Sequence, residues 1–370
     1  MAEIEKSRNL FSSYKLIKHL ERLDDFEKDK IVYPIFVNIN VSNKCNNNCP
    51  LCTTKNKDGE LVPTQRLKDV LDELGALGVS SVGYGGGGDP TCHPDLEEIL
   101  IHSNKNKMEL AMTTNGYEMT PGVINAIIGF GTWIRVSLDA DSPKIYRKTH
   151  GMDKNAFYDV VGNITRLVET KQRQNSKVVI GTTYLIGPQT IKGAYNAAKL
   201  CKEIGVDNIR FRPFFDFGKT KYKKEQAEFI VSELERCKEL QSEDFLVSYP
   251  NYRCDSMVEK KPREYSKCYI HHLNPIITPD LKVYPCCFLI DKEEYVLGDL
   301  AKKSFKDIWS SDERKQAYER IDFKDCPNPC MLDEHIKLMW AVKNNVIPNG
   351  MNLIDMLRSV NGPINHSNFF

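Results

Sequence analysis

Three thiols fall within eight residues in the stretch Cys45-Asn46-Asn47-Asn48-Cys49-Pro50-Leu51-Cys52. Thiolates are soft ligands that suit iron–sulfur clusters and zinc. An iron–sulfur cube takes four ligands, so three thiols on one loop leave one iron without a protein ligand. An incompletely ligated metal is an open, reactive position. The alternatives are a zinc site, which commonly draws four ligands from C-x2-C pairs, or three unrelated buried thiols. A second set lies far along the chain: Cys268, the adjacent Cys286 and Cys287, and Cys326-Pro327-Asn328-Pro329-Cys330. Residues 276–284 between them read as a hairpin turning at Pro279-Asp280-Leu281-Lys282. Two ligands around a hairpin and two on a later loop converge as four-cysteine sites do. Cys254 is a possible extra, and structural zinc would also accept four thiolates.

These thiols need elements to hold them. Residues 35–41 alternate apolar and polar and end in a Ser42-Asn43-Lys44 turn, the pattern of a β-strand. The first cysteine loop therefore stands at the carboxyl end of a first strand, where α/β barrels build their chemistry. Strand signals recur at 80–84, 108–113, 133–138, 178–185 and 208–214, with helical periodicity at 63–77, 95–103, 121–129, 156–170 and 191–204. Such alternation predicts a parallel sheet with crossover helices. Six repeats in about 185 residues are too few for an eight-stranded barrel.

Polar groups cluster at the strand ends. The second strand runs into Gly85-Gly86-Gly87-Gly88-Asp89-Pro90, where bare backbone approaches a ligand closely. Thr113-Thr114-Asn115-Gly116 follows the third strand, and Arg135-Val136-Ser137-Leu138-Asp139 ends the fourth. Each alone is equally well read as turn chemistry. In register on successive strands they offer partners to the hydroxyls of a nucleoside. Arg212 on the sixth strand is a further candidate, as an anion ligand or a plain ion pair. Cys92 could donate a hydrogen atom and His93 could serve as an acid or base, although such residues more often cap or pack the following helix. Cys201 and Cys237 fall inside helical patterns and read as packing residues.

The C-x3-C-x2-C spacing resembles the signature of the radical S-adenosylmethionine (radical SAM) superfamily, with Leu51 where that family usually has an aromatic residue. The resemblance implies a partial (β/α)6 TIM-like barrel and a [4Fe–4S] cluster on Cys45, Cys49 and Cys52, its free iron chelated by the methionine moiety. It implies that Gly86, Gly87, Gly88 and Asp89 stand for the family's Gly-Gly-Glu-Pro motif, which receives the methionine amino group; Asp89 replaces the usual Glu. Thr114, Asn115, Ser137 and Asp139 would lie near the methionine carboxylate and ribose, and Arg212 near that carboxylate or the substrate. Leu297-Gly298-Asp299-Leu300 and Ser304-Phe305-Lys306-Asp307-Ile308-Trp309-Ser310 resemble the SPASM and twitch auxiliary-cluster domains. A full SPASM domain carries seven cysteines and two clusters; here the resemblance implies one auxiliary [4Fe–4S] cluster on Cys268, Cys286, Cys326 and Cys330. Cys286 fits the usual hairpin spacing better than Cys287.

The same resemblance sets the expected chemistry. Reductive cleavage of S-adenosylmethionine would give a 5′-deoxyadenosyl radical that abstracts hydrogen from an unactivated carbon, with a flavodoxin- or ferredoxin-type protein as electron donor. The overall likeness to twitch enzymes such as 2-deoxy-scyllo-inosamine dehydrogenase implies oxidation of a sugar-, cyclitol- or nucleotide-like small molecule, the auxiliary cluster accepting the second electron. Redox-neutral epimerisation or elimination on such a substrate is the alternative, as is peptide maturation of the SPASM kind. Only about 30 residues precede the first strand, fewer than a leader-binding domain normally needs. A non-catalytic metal-binding protein is the reading from a different class.

Composition bounds the rest. The chain has 370 residues, a formal net charge of +1 and twelve cysteines. Near-neutrality gives no polyanion footprint, so no nucleic-acid partner is expected, and the basic run at 219–224 reads as a solvated helix start. No apolar stretch reaches the ~20 residues of a membrane helix, and no secretory pattern opens the chain. Twelve cysteines without an export signal argue for metal ligation in a reducing cytoplasm. The expected organisation is a helical extension at 1–30, a barrel at 31–220, a connecting helix at 221–249, an auxiliary-cluster domain at 250–345 and a tail at 346–370. That tail is expected to form a short helix at 351–357 and either fold back over the barrel mouth or remain disordered.

Overall fold

A computed structural model describes residues 13–52, 59–187, 189–214, 222–259, 262–346 and 366–370. After α1 (Leu20–Glu27) come β1 (Phe36–Ile39), α2 (Thr64–Ala76), β2 (Ser81–Tyr84), α3 (Leu96–Lys105), β3 (Glu109–Thr114), α4 (Pro121–Phe130) and β4 (Gly131–Ser137). Next are α5 (Pro143–His150), α6 (Ala156–Gln174), β5 (Val179–Ile186), α7 (Ala194–Ile204), β6 (Asn208–Pro213), α8 (Lys224–Lys238) and β7 (Leu246–Ser248). The C-terminal part adds α9 (Asn251–Asp255), β8 (Ile276–Ile277), β9 (Lys282–Tyr284), β10 (Gly298–Asp299), α10 (Phe305–Ser310), α11 (Asp312–Glu319) and α12 (Asp333–Asn344). Among the described residues the strands form one sheet in the order β10-β9-β8-β1-β2-β3-β4-β5-β6-β7, parallel from β8 through β7. This is the partial TIM-like barrel, followed by a small domain whose hairpin joins the same sheet.

Alternation along the strands sets two faces. Val37, Ile39, Val82, Tyr84, Leu110, Met112, Ile134, Val136, Ile180, Tyr184, Ile209 and Phe211 are buried in one core with the helices. That core includes Leu67, Val70, Leu71 and Leu74, the apolar face of α2. The intervening residues, among them Asn38, Gly83, Thr113, Arg135, Ser137, Arg210 and Arg212, must then face the lumen.

Several features depart from expectation. A seventh strand, β7, pairs with β6 through Asn208↔Leu246; three residues are too few to show a period. The hairpin strand β8 pairs with β1 through Asn38↔Ile276 and covers the edge of the barrel sheet, so the auxiliary domain is continuous with it. Helices α5, α11 and α12 lie where no helix was expected. The N-terminal extension packs Leu16, Leu23 and Phe26 with Ile336, Met339 and Val342 of α12 in a separate core. Residues 219–221 of the basic run and the expected tail helix at 351–357 lie outside the described residues.

The chain's last residues occupy the amino ends of the strands and not the mouth. Phe369 is buried with its ring 5.2 Å from Phe36 and 5.7 Å from Trp133. Asn368 Nδ2 donates to Glu109 Oε1 at 2.8 Å, Ser81 Oγ donates to the Asn368 carbonyl, and Lys15 Nζ donates to the Phe369 carbonyl at 3.1 Å. The reason is room: Ala111 faces this end of the lumen with little bulk, and the three rings of Phe36, Trp133 and Phe369 fill it.

The auxiliary domain is pinned at several points. Glu73 on α2 accepts from the first amides of α10, Phe305 N and Lys306 N, both at 2.9 Å. Arg66 donates to the Leu300 carbonyl at 2.9 Å, and Trp309 Nε1 to the Val32 carbonyl at 2.6 Å. A carboxylate at a helix N-terminus satisfies orphan donors and the helix dipole together.

Candidate active site: a three-cysteine loop and a four-cysteine pocket

The loop bearing Cys45, Cys49 and Cys52 is held by the glycine turn beyond β2. Gly88 N donates to the Ser42 carbonyl at 2.7 Å, and Asp89 N to the Lys44 carbonyl at 2.9 Å. A Cβ on Gly88 would stand 1.9 Å from the Lys44 carbonyl oxygen, so no side chain fits there. Gly86 and Gly87 have φ of +68° and +62°, the left-handed region that favours glycine. The far side of the loop rests on α5. Asn48 N donates to the His150 carbonyl at 2.9 Å, and a Cβ on Gly151 would lie 2.2 Å from the Asn48 carbonyl oxygen. Tyr146 stacks on His150 at 4.0 Å and lies beside Asn47, within electrostatic reach of Cys49.

Asp89 is buried, and its carboxylate accepts from Thr91 N at 3.0 Å, Thr91 Oγ1 at 2.6 Å, Thr114 Oγ1 at 2.8 Å and Asn115 N at 2.6 Å. Burial nonetheless raises its pKa against these donors. Asp89 therefore splices the ends of β2 and β3. Asn115 extends the splice to the cysteine loop: its Nδ2 donates to Asn46 Oδ1 at 2.6 Å and lies 3.8 Å from Cys45 Sγ. Asn47 N also points at Cys45 Sγ, at 3.5 Å. Amide donors to a ligand sulfur orient the ligand and tune the metal behind it.

Cys92 is half-buried beside this loop, next to the Asn46 backbone and Cys45; burial, with Asp89 adding, pushes its thiol up to about 11. His93 is 3% exposed. Its Nε2 lies 3.0 Å from the Val62 carbonyl, and its Nδ1 accepts from Asp95 N at 3.1 Å. With both ring nitrogens taken by backbone, His93 braces the turn and has no free nitrogen for acid–base work.

At the end of β4, Thr183 Oγ1 donates to Ser137 Oγ at 3.4 Å, and His150 Nε2 lies 3.2 Å from the Ser137 carbonyl. Asp139 sits at φ +43° and accepts from Leu185 N at 2.6 Å. Burial raises its pKa, while His150 and Arg212 pull it back. Arg212 thus stands by Asp139, and its charge also reaches Cys287 of the auxiliary domain. Sequence reading passed over Arg135 and Arg210. Burial, then the charges of Arg210 and Arg212, hold Arg135 well below its ordinary pKa, and its guanidinium lies 4.7 Å from the Trp133 ring centroid. Charged residues inside parallel strands, which normally read as apolar runs, were the available signal.

The second set of thiols also comes together. Burial pushes Cys268 up to about 12, and the neighbouring Cys326 adds to it. Cys286 is raised by burial and then by Cys287, Cys268 and Cys330; Cys330 is raised by burial with Asp333, Cys268 and Cys287 adding. Leu332 N points at Cys330 Sγ at 3.5 Å, and Asp333 accepts from Cys330 N at 2.8 Å. Cys254 lies apart in the barrel core, as do Cys201 and Cys237. Among the described residues no three His, Cys, Asp or Glu side chains close to the spacing of a single bound ion. A tetrahedral zinc would hold sulfurs ~3.8 Å apart, whereas each thiolate of a cube binds a different iron.

Comparison with known proteins agrees with both halves. The radical SAM superfamily profile matches residues 39–201, and that of the iron–sulfur cluster-binding SPASM domain matches 268–333. Mycofactocin maturase MftC of Mycobacterium tuberculosis is 29% identical over 127 residues, 33% of this chain and 32% of the relative. GTP 3′,8-cyclase of Vibrio parahaemolyticus is 26% identical over 147 residues, 38% of this chain and 43% of the relative. The chain thus spans about a third to two fifths of the length of these curated relatives. SuiB of Streptococcus suis bound to S-adenosylmethionine superposes with a TM-score of 0.62 at 16% identity, covering 79% of this chain and 69% of SuiB. SuiB has also been solved with its precursor peptide SuiA. At such identity the likeness concerns the fold.

The two domains imply a [4Fe–4S] cluster with S-adenosylmethionine and auxiliary cluster ligation, and the residues present fit those groups. The fit rests on a three-thiol loop against a glycine turn with no room for a side chain, and on four half-buried thiols in which Cys268 lies within electrostatic reach of Cys286, Cys326 and Cys330. The chain carries a radical SAM domain at residues 39–201 and, after it, a SPASM iron–sulfur cluster-binding domain at 268–333.

Proposed function

We propose that the chain oxidises a small sugar-, cyclitol- or nucleotide-like molecule by hydrogen abstraction at the carboxyl ends of its barrel strands. When bound, S-adenosylmethionine supplies a 5′-deoxyadenosyl radical on one-electron reduction at the cluster held by Cys45, Cys49 and Cys52. The chain's own residues do the positioning. The Gly86–Gly88 backbone receives the methionine amino group, held in place by the bonds from Gly88 and Asp89 to the cysteine loop. Asp89 acts through Thr114 and Asn115, since its carboxylate is already occupied by them. Ser137 and Asp139 face the ribose hydroxyls, and Arg212 takes the methionine carboxylate or an anionic group of the substrate. Cys268, Cys286, Cys326 and Cys330 hold an electron-accepting auxiliary cluster, leaving Cys287 within reach of the Arg212 charge. The carrying observation is the cysteine loop spliced to the ends of β2 and β3 through Gly88, Asp89 and Asn115.

Peptide maturation is the second reading, favoured by the SPASM match and by the names of MftC and SuiB. An epimerase using Cys92 as hydrogen donor draws less support, because Cys92 lies against the cysteine loop beside Cys45. His93 is not carried forward as an acid or base.

Anaerobic reconstitution with an iron count and a 5′-deoxyadenosine assay tests the reading. We expect about eight irons per chain, as two cubes require, and 5′-deoxyadenosine formation that Cys49→Ala abolishes. Zinc in the native loop, or undiminished cleavage in Cys49→Ala, would overturn it. Turnover of a cyclitol or nucleotide sugar against a short peptide then separates the two substrate classes.

A further inference from the structure

Radical SAM chemistry needs an electron delivered to the cysteine loop, and the structure places a distinctive surface beside that loop. Helix α5 packs one face on the loop through Tyr146, His150 and Gly151. Its other face carries Lys144, Arg147 and Lys148, all exposed, and with Lys154 just beyond they line an open cleft of about 690 Å³ with Ser142 and Pro143.

Among the described residues none of these four cations forms an ion pair, although lysines elsewhere on the surface commonly do, as Lys28 with Asp24 and Lys315 with Asp312. The acids in this stretch are otherwise engaged. Asp141 accepts from Ser142 Oγ at 3.0 Å, and Asp153 from Asn155 N at 2.9 Å. The helix dipole accounts for Arg147 and Lys148 in the last turn of α5. It disfavours Lys144, which sits in the first turn, so capping chemistry does not explain the set. The cysteine loop reaches solvent too: Asn48, Pro50 and Cys52 are exposed, and Leu51 is 46% exposed.

We infer that the Lys144, Arg147, Lys148 and Lys154 face of α5 is the docking surface of an acidic protein electron carrier. The inference rests on the radical SAM reading of the loop. An unpaired basic cleft steers an acidic partner to one orientation. A single helix then separates the docked carrier from Asn48 between Cys45 and Cys49.

The test compares two reductants on the reconstituted full chain. In the triple variant Lys144→Glu, Arg147→Glu, Lys148→Glu, dithionite-driven 5′-deoxyadenosine formation should stay within about twofold of wild type. Formation driven by reduced flavodoxin should fall ~10-fold or more and lose its dependence on ionic strength, because steering of this kind contributes 10- to 1,000-fold to association. The triple Gln variant, which removes charge without reversing it, should fall between the two. An unchanged flavodoxin-driven rate overturns the assignment. So does an equal fall with both reductants at unchanged iron content, which would make α5 a mere support of the loop. Binding of a polyanion such as RNA that the triple variant loses while flavodoxin coupling survives also overturns it. Failure of the wild type with dithionite is a different result: it removes the radical SAM reading itself, and the docking site with it.

Discussion

Asn115 carries an unusual share of the site. Its backbone amide feeds Asp89, its side-chain amide bonds Asn46 and approaches Cys45 Sγ, and its side-chain oxygen accepts from Tyr117 N at 2.8 Å. Asn115→Ala removes the side-chain bonds and leaves the backbone amide in place. Loss of partners behind a metal ligand costs 10- to 100-fold in metal affinity or activity. We therefore expect Asn115→Ala to fold, to cut 5′-deoxyadenosine formation by ~10-fold or more, and to shift the potential of the reduced loop cluster. A potential and a rate both equal to wild type would reduce Asn115 to turn chemistry. The cysteine spacing, the glycine turn and the Thr-Asn-Gly turn were all legible in the sequence, because each is a local pattern of residue types. Asp89 shows the limit of that legibility. Its acidity could be read from the sequence, but its commitment to Thr91, Thr114 and Asn115 depends on β2 and β3 ending side by side.

At the level of elements, periodicity located the six barrel strands and most of their helices, since burial on one face imposes it. It was silent where an element is too short or too polar to show a period. Strand β7 has three residues, and α5 is the eight-residue run Pro-Lys-Ile-Tyr-Arg-Lys-Thr-His. The C-terminal segment was misplaced for another reason: its partners are hundreds of positions away. Phe369 reads as an aromatic end until Phe36, Ala111 and Trp133 form a socket for it at the amino ends of the strands. Burying and then truncating a Phe costs ~3–5 kcal/mol in a core, and an end segment that can fray loses less. Phe369→Ala should therefore lower stability by about 2–3 kcal/mol, seen as an earlier urea midpoint at unchanged slope. Because the socket lies opposite the cysteine loop, the rate of 5′-deoxyadenosine formation at 25 °C should be unaffected. A midpoint equal to wild type would mean that the segment is not seated there in solution.

The described strands form a single sheet that carries two cysteine-rich neighbourhoods. The four-cysteine pocket belongs to the domain whose hairpin pairs with β1, and β1 leads into the three-cysteine loop. Glu73 on the first turn of α10, Arg66 on Leu300 and Trp309 on Val32 add fixed points that do not involve any cysteine. The two neighbourhoods should then be separable by mutation even though they share a sheet. In Cys330→Ala the auxiliary site loses a ligand. The iron count should drop from about eight to about four per chain, the number one cube holds. Cleavage of S-adenosylmethionine without substrate should persist, while conversion of a small-molecule substrate to its oxidised product should stop. Retention of eight irons would mean that Cys287 or another group substitutes in the auxiliary site. A wild-type count near twelve would indicate two auxiliary clusters, with ligands beyond Cys268, Cys286, Cys326 and Cys330. Loss of all iron in Cys330→Ala would show that the loop cannot hold its cluster unless the second domain is filled, so that the continuous sheet acts as one folding unit and the two sites assemble together.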